Sequence, residues 1–173
     1  FFARKAGVFR RLQRKVQWCL SRDGLISLMA MTEHSNGAVK NPRNISLDEA
    51  RRYIDQLDLS YIVEAMCAPH YPLPRWTLSD ANHCCRLYKN FLYLFKKHLP
   101  FPLVPTREID EFWHNHILYT QQYFRDCENI FGHYLHHAPA SPADNPQQLI
   151  DNFQVTKRLY LEEFNQPLVL ERG

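Results

Sequence analysis

From Thr106 to His137 the chain reads TREIDEFWHNHILYTQQYFRDCENIFGHYLHH, and this stretch limits the possible folds more than any other. It gathers His114, His116, His133, His136 and His137 with Trp113, Tyr119, Tyr123, Tyr134 and the Asp126-Cys127 pair. Titratable side chains crowded among large apolar ones are costly to bury unless each polar atom finds a partner. The stretch is therefore either a site or a hydrogen-bonded keystone.

Read as one helix from Asp110 to Glu128, it places Trp113, Ile117, Thr120, Phe124 and Cys127 at steps of three and four, a core stripe. His116 and Tyr123 flank that stripe, and His114 shares another face with Asp110 and Leu118. Helical positions two apart point about 200° from each other, so His114 and His116 cannot grip one ion together while both stay helical. Asp110 and His114 lie one turn apart, the reach for a carboxylate to fix an imidazole or share a metal with it. His133 with His136 or His137 has chelating spacing if that segment is helical. The candidate metal residues nearest the ion are Asp110, His114 and His116, either histidine needing ligands from elsewhere such as His133, His136, His83 or Cys84, with Cys127 as a further contributor and zinc or another transition metal as the ion. No spacing matches a zinc finger or a His-Glu-x-x-His helix. The competing reading makes the aromatics core and the histidines partners of loop carbonyls. Cys127 as half of a Cys-His nucleophilic pair lacks any thiol-enzyme signature around it.

The rest of the chain is helical in pattern. Ser46 with Glu49 forms a capping box ahead of Leu47, Ala50, Tyr53, Ile54 and Leu57. Asp58 caps a second helix, and Pro69, Pro72 and Pro74 make Ala68 to Trp76 a rigid connector. Thr77 opens the longest pattern, to about Leu99, whose basic end Lys96, Lys97 and His98 suits the helix dipole. The short loop Pro100 to Pro105 predicts an antiparallel return. Pro146 starts a last helix, expected to bury Leu149, Ile150, Phe153, Leu159, Tyr160 and Phe164 and to end near Asn165. With no strand pattern and no repeat, the chain is expected to be all-α, a single compact bundle of five to seven helices with proline-rich connectors. The expected organisation is a basic arm over 1–24, a short helix and loop over 25–45, and a helical domain over 46–173.

Charge is unevenly spread. Residues 1–22 hold seven Lys or Arg, Arg4, Lys5, Arg10, Arg11, Arg14, Lys15 and Arg22, and no acid, whereas the remainder is net acidic. The arm, with Val8, Phe9, Leu12 and Val16 interleaved, is expected to meet a protein partner, nucleic acid or an anionic membrane surface. Its composition also suits an organelle-targeting segment. Five cysteines without a CxxC, and no apolar stretch near the roughly 20 residues of a membrane span, suggest an intracellular, reducing location, cytoplasmic or organellar, the mitochondrial matrix included.

The succession Val104-Pro105-Thr106, Ile109-Asp110, Trp113-His114-x-His116, Tyr123, Asp126-Cys127, Gly132 and Leu135-His136 resembles the glycine-rich domain-containing protein-like family. The resemblance runs from about Asp58 to Phe164 and implies an intracellular helical domain. Plant members of that family append glycine-rich and RNA-associated segments; this chain has no glycine-rich tract, so the RNA link does not carry over. The basic arm and the absence of any complete catalytic constellation in the sequence lead to the expectation of a non-enzymatic helical interaction domain, an accessory subunit docked into a larger assembly through that arm. The alternative is a metal-binding or metal-dependent protein centred on Asp110, His114 and His116.

Overall fold

Local capping chemistry sets where the helices begin. The structure is a computed structural model that describes residues 43–71, 76–138, 141 and 144–170. The arm expected over 1–24 lies outside those residues, as does 25–45 apart from its last three. Ser46 starts α1 (Leu47–Gln56) with the full capping box: its hydroxyl accepts from the Glu49 N–H at 3.2 Å, and its own N–H reaches Glu49 Oε2 at 2.9 Å. The Ser46 hydroxyl, donating to Glu49 Oε2 at 2.7 Å, and then the Ser46 N–H hold the Glu49 carboxyl below the usual carboxylate range. Asp58 accepts from the Ser60 N–H at 2.9 Å at the entry to α2 (Ser60–Cys67). Thr77 caps α3 (Leu78–His98), Thr106 caps α4 (Arg107–Leu118), and Asn145 with Pro146 at the first position starts α6 (Pro146–Phe164). Between the last two lies α5 (Thr120–Ile130). Asn165 closes α6 in the left-handed conformation, φ 51°.

Six helices and no strand make up the described residues, an all-α bundle. The core is organised on α3, which packs against α1, α2, α4 and α6. Its side chains Ala81, Cys84, Leu87, Tyr88, Phe91 and Leu94 are almost wholly buried, the broad apolar face of a helix covered on several sides. In addition, α5 packs on α1 and α4. Among the described residues no helix is long and apolar enough to cross a membrane.

Three expectations are corrected. The stretch from Asp110 to Glu128 is two helices, broken at Tyr119, whose φ −86° and ψ 65° lie near an inverse γ-turn. The break resets the helical phase: Tyr123, Asp126, Cys127 and Ile130 turn inward, whereas Phe124, expected in the core stripe, is 53% exposed. Secondly, α4 does not return antiparallel to α3. The contacts advance together along both helices, from Cys84 Sγ on the Glu108 carbonyl at 3.3 Å to Phe91 and Phe95 on Trp113. The loop 99–106 is long enough, at about 3.3 Å per extended residue, to carry the chain back beside α3 before α4 begins. It is tied to α6 midway, where the Val104 N–H donates to Thr156 Oγ1 at 2.9 Å. Thirdly, α6 buries little of the face expected of it. Its fully buried residues are Thr156 and Tyr160, the latter accepting from Asn90 Nδ2 at 2.8 Å, and Ile150 is 52% exposed.

Candidate metal centre

Each turn of α4 distributes its polar residues to three different neighbours, because successive residues rotate by about 100°. The inward face carries Ile109, Phe112, Trp113 and His116. His116 is 1% exposed, yet both ring nitrogens are satisfied: Nδ1 lies 2.9 Å from Tyr88 Oη on α3 and Nε2 lies 2.9 Å from Asp126 Oδ2 on α5. The other oxygen of Asp126 accepts from Tyr53 Oη on α1 at 2.6 Å. Burial and the adjacent carboxylate push the Tyr53 phenol up to about 12, and burial pushes the Tyr88 phenol well above its ordinary value, so both keep their protons. Counting donors then assigns the roles: Tyr53 and the His116 Nε2–H donate to the carboxylate, and Tyr88 donates to His116 Nδ1. Four helices are thereby joined by one row of three hydrogen bonds with no donor left over.

A second buried bond runs beside it. Trp113 Nε1 donates to Tyr123 Oη at 2.9 Å, and Tyr123 in turn donates to the Leu135 carbonyl at 2.7 Å. Burial pushes the Cys127 thiol up to about 11, which leaves it protonated and a poor nucleophile. A third face of α4 holds the ends of the proline-rich connector. Glu111 Oε1 accepts from Tyr71 Oη at 2.9 Å and from Trp76 Nε1 at 3.1 Å, while Asn115 Nδ2 donates to Tyr71 Oη at 2.7 Å.

The solvent side is different. Asp110 and His114, one turn apart, meet His137 from the irregular segment that follows α5. His137 Nε2 lies 2.8 Å from Asp110 Oδ1, and His114 Nδ1 lies 3.6 Å from Asp110 Oδ2. The two imidazoles stack, with centroids 4.6 Å apart and planes 19° apart, and Trp113 covers His137 with its centroid at 4.3 Å. One carboxylate oxygen and one nitrogen from each histidine all lie within 4.8 Å of one another. His137 retains only 10% of its side-chain exposure, and its Nδ1 is buried without a hydrogen-bond partner among the described residues. His114 is held below its ordinary imidazole value, by burial first, against the pull of Asp110 and with a further push from His137. It is therefore neutral near pH 7 and offers a lone pair.

Asp110 and His114 thus come together as spaced, but His116 faces the opposite way with both nitrogens engaged and does not join them. The segment 131–138 is not helical, so the spacing of His133 with His136 or His137 makes no chelate there. His133 and His136 are exposed, against Phe131 and Tyr134 respectively, and stand outside the group. Gly132 has φ 79°, and a Cβ there would stand 1.8 Å from the Arg43 carbonyl oxygen; only glycine fits both the turn and the approach. Arg4, Lys5, Arg10, Arg11, Arg14 and Lys15 lie outside the described residues. Sequence spacing does not reveal His137 as the partner of Asp110, because the two sit 27 residues apart. Glu111, Asn115, Tyr53 and Tyr88 likewise gain their roles only through tertiary contact. Four of the partners in these networks are tyrosines next to apolar positions, the one signal that the sequence carried for them.

A family model described as UCP032817-like matches residues 49–163. No curated protein and no solved structure matches the chain.

Proposed function

The chain belongs to the UCP032817-like family, whose matched span contains Asp110, His114 and His137, and we propose that this domain binds a divalent transition metal through those three side chains. One observation carries the reading. Two histidine nitrogens and a carboxylate oxygen converge within 4.8 Å on the solvent side of a helix whose inner face is rigidly bonded. Donor atoms on a metal bound at about 2.1 Å lie roughly 3 to 4 Å apart, so a small rotation of His114 closes the set. His114 has room for it, being 39% exposed. Imidazole and carboxylate together suit zinc, iron or manganese better than calcium or magnesium, which prefer oxygen alone. The donor set is thus Asp110, His114 and His137, with His116 as part of the frame behind it.

The role of the domain as an interaction module or accessory subunit rests on the arm, outside the described residues, and remains a separate proposal. The same holds for kinship with the glycine-rich domain-containing protein-like family and for an intracellular, reducing location. The metal reading is tested by reconstituting metal-stripped protein with zinc, cobalt or manganese and measuring metal per chain after desalting. About one equivalent is expected in the parent protein, and less than about a tenth in His114→Ala and in His137→Ala. His133→Ala and His136→Ala should keep the ion. An unloaded parent protein, or loading indifferent to His114 and His137, would overturn the reading.

A further inference from the structure

Resting on that metal reading, we infer that the ion at Asp110, His114 and His137 is held from one side only and takes a small chelating carboxylate from solvent. Coordination number is the first support. First-row divalent ions take four to six donors, and among the described residues no fourth histidine, cysteine or acid joins these three. One to three positions therefore belong to exchangeable ligands. Glu111, the nearest acid on the same helix, already accepts from Tyr71 and Trp76 and is held to the connector.

The second support is where the open side lies. Asp110 and His114 are 36% and 39% exposed, whereas His137 is at 10% and lies under Trp113. An ion seated among them is backed by the tryptophan and the buried frame and faces water in the other direction. A structural site closes its fourth position with protein; among the described residues this arrangement leaves it open.

Charge selects the class of ligand. A divalent ion with one carboxylate and neutral imidazoles keeps a net positive charge, which attracts an anion more strongly than a neutral donor. With five or six donors around the ion, two of those positions lie side by side and suit a ligand that presents two oxygens. Such a ligand displaces bound water and forms two metal–oxygen bonds, with no redox change and no proton transfer.

Cobalt(II) as the metal and oxalate as the probe test this directly, since the visible bands of cobalt report on its ligands. The cobalt-loaded protein should show a saturable change in those bands at one oxalate per ion, with the cobalt still bound after desalting. His114→Ala, an exposed position that leaves the frame intact, should show neither the bands nor the change. If cobalt binds but oxalate leaves the bands unaltered, or removes the ion, the open-site inference is overturned while the metal reading stands. If no cobalt binds the parent protein, the metal reading itself fails.

Discussion

His114 and His116 are two residues apart on one helix, and each is paired with a carboxylate, yet they live in opposite regimes. His116 lies in the core, with Tyr88 on one nitrogen and Asp126 on the other. His114 lies at the surface, 3.6 Å from Asp110 and stacked on His137. The 200° between them on the helix is enough to send one to a closed network and the other to an open cluster. In the closed network every donor has an acceptor and both His116 nitrogens are engaged, so the imidazole has no free lone pair to offer an ion. In the open cluster Asp110, His114 and His137 bring one ligand atom each within 4.8 Å of one another, the convergence that a cation needs. Chemistry at this helix therefore follows which face a residue occupies more than which residue it is.

The sharpest way to break the comparison is to remove the carboxylate from each side. Asp126→Ala strands the Tyr53 hydroxyl and the His116 Nε2–H in the core, so it is expected to cost about 3–5 kcal/mol. Asp110→Ala, at a half-exposed position, should cost about 1 kcal/mol or less while abolishing metal loading. Urea denaturation midpoints for the two variants check this, and equal losses would mean that the networks do not differ as described.

The sequence disclosed these regimes unequally. Ser46 with Glu49, Thr77, Thr106 and Asn145 with Pro146 mark helix starts because a cap is local chemistry, complete within four residues. The all-helical class follows from the same patterns. The rotation that separates His114 from His116 was also readable, being a property of one turn. Tyr119 was not: the break there involves no glycine or proline, and it is stabilised by α5 packing onto α1 and α4 rather than by a local signal. Nor was His137, which reaches Asp110 only because Gly132 turns the chain and Tyr123 anchors the Leu135 carbonyl. A site assembled from a helix and a later irregular segment has no spacing to recognise.

Gly132 offers an intermediate test, since the segment carrying His137 leaves α5 through it. An alanine there must hold a φ of 79° and meets the Arg43 carbonyl oxygen at 1.8 Å. The positive φ alone costs roughly 1–2 kcal/mol, and residues 43–45 must lift to make room. Because His137 follows this turn and His116 does not, Gly132→Ala should weaken metal affinity by on the order of tenfold. The buried row from Tyr53 to Tyr88 should stay intact. Metal titration by calorimetry beside the near-ultraviolet dichroism of the tyrosines separates the two effects; loss of both together would show that the segment and the frame are one unit.

The smallest expected effect is a pH dependence carried by His114 in the metal-free protein. Burial holds its folded-state value below the ordinary imidazole value of about 6.5 that applies in the unfolded chain. Between the depressed value and that figure the unfolded chain binds more protons than the folded one, so stability falls as pH drops through this interval. Above about 6.5 both states are neutral at this residue and its contribution is flat. Below the depressed value both are protonated, and the loss is constant. The size is modest, because a side chain 39% exposed is largely screened by water. His114→Gln removes the titration, so the difference in urea midpoint between parent and variant should shrink or invert toward acid and level off above neutrality. His116 supplies the contrast within the same helix, since a substitution there lowers stability through the loss of its two buried hydrogen bonds. A parent protein and a His114→Gln variant with superimposable pH profiles would mean that His114 is as open to solvent as a free histidine.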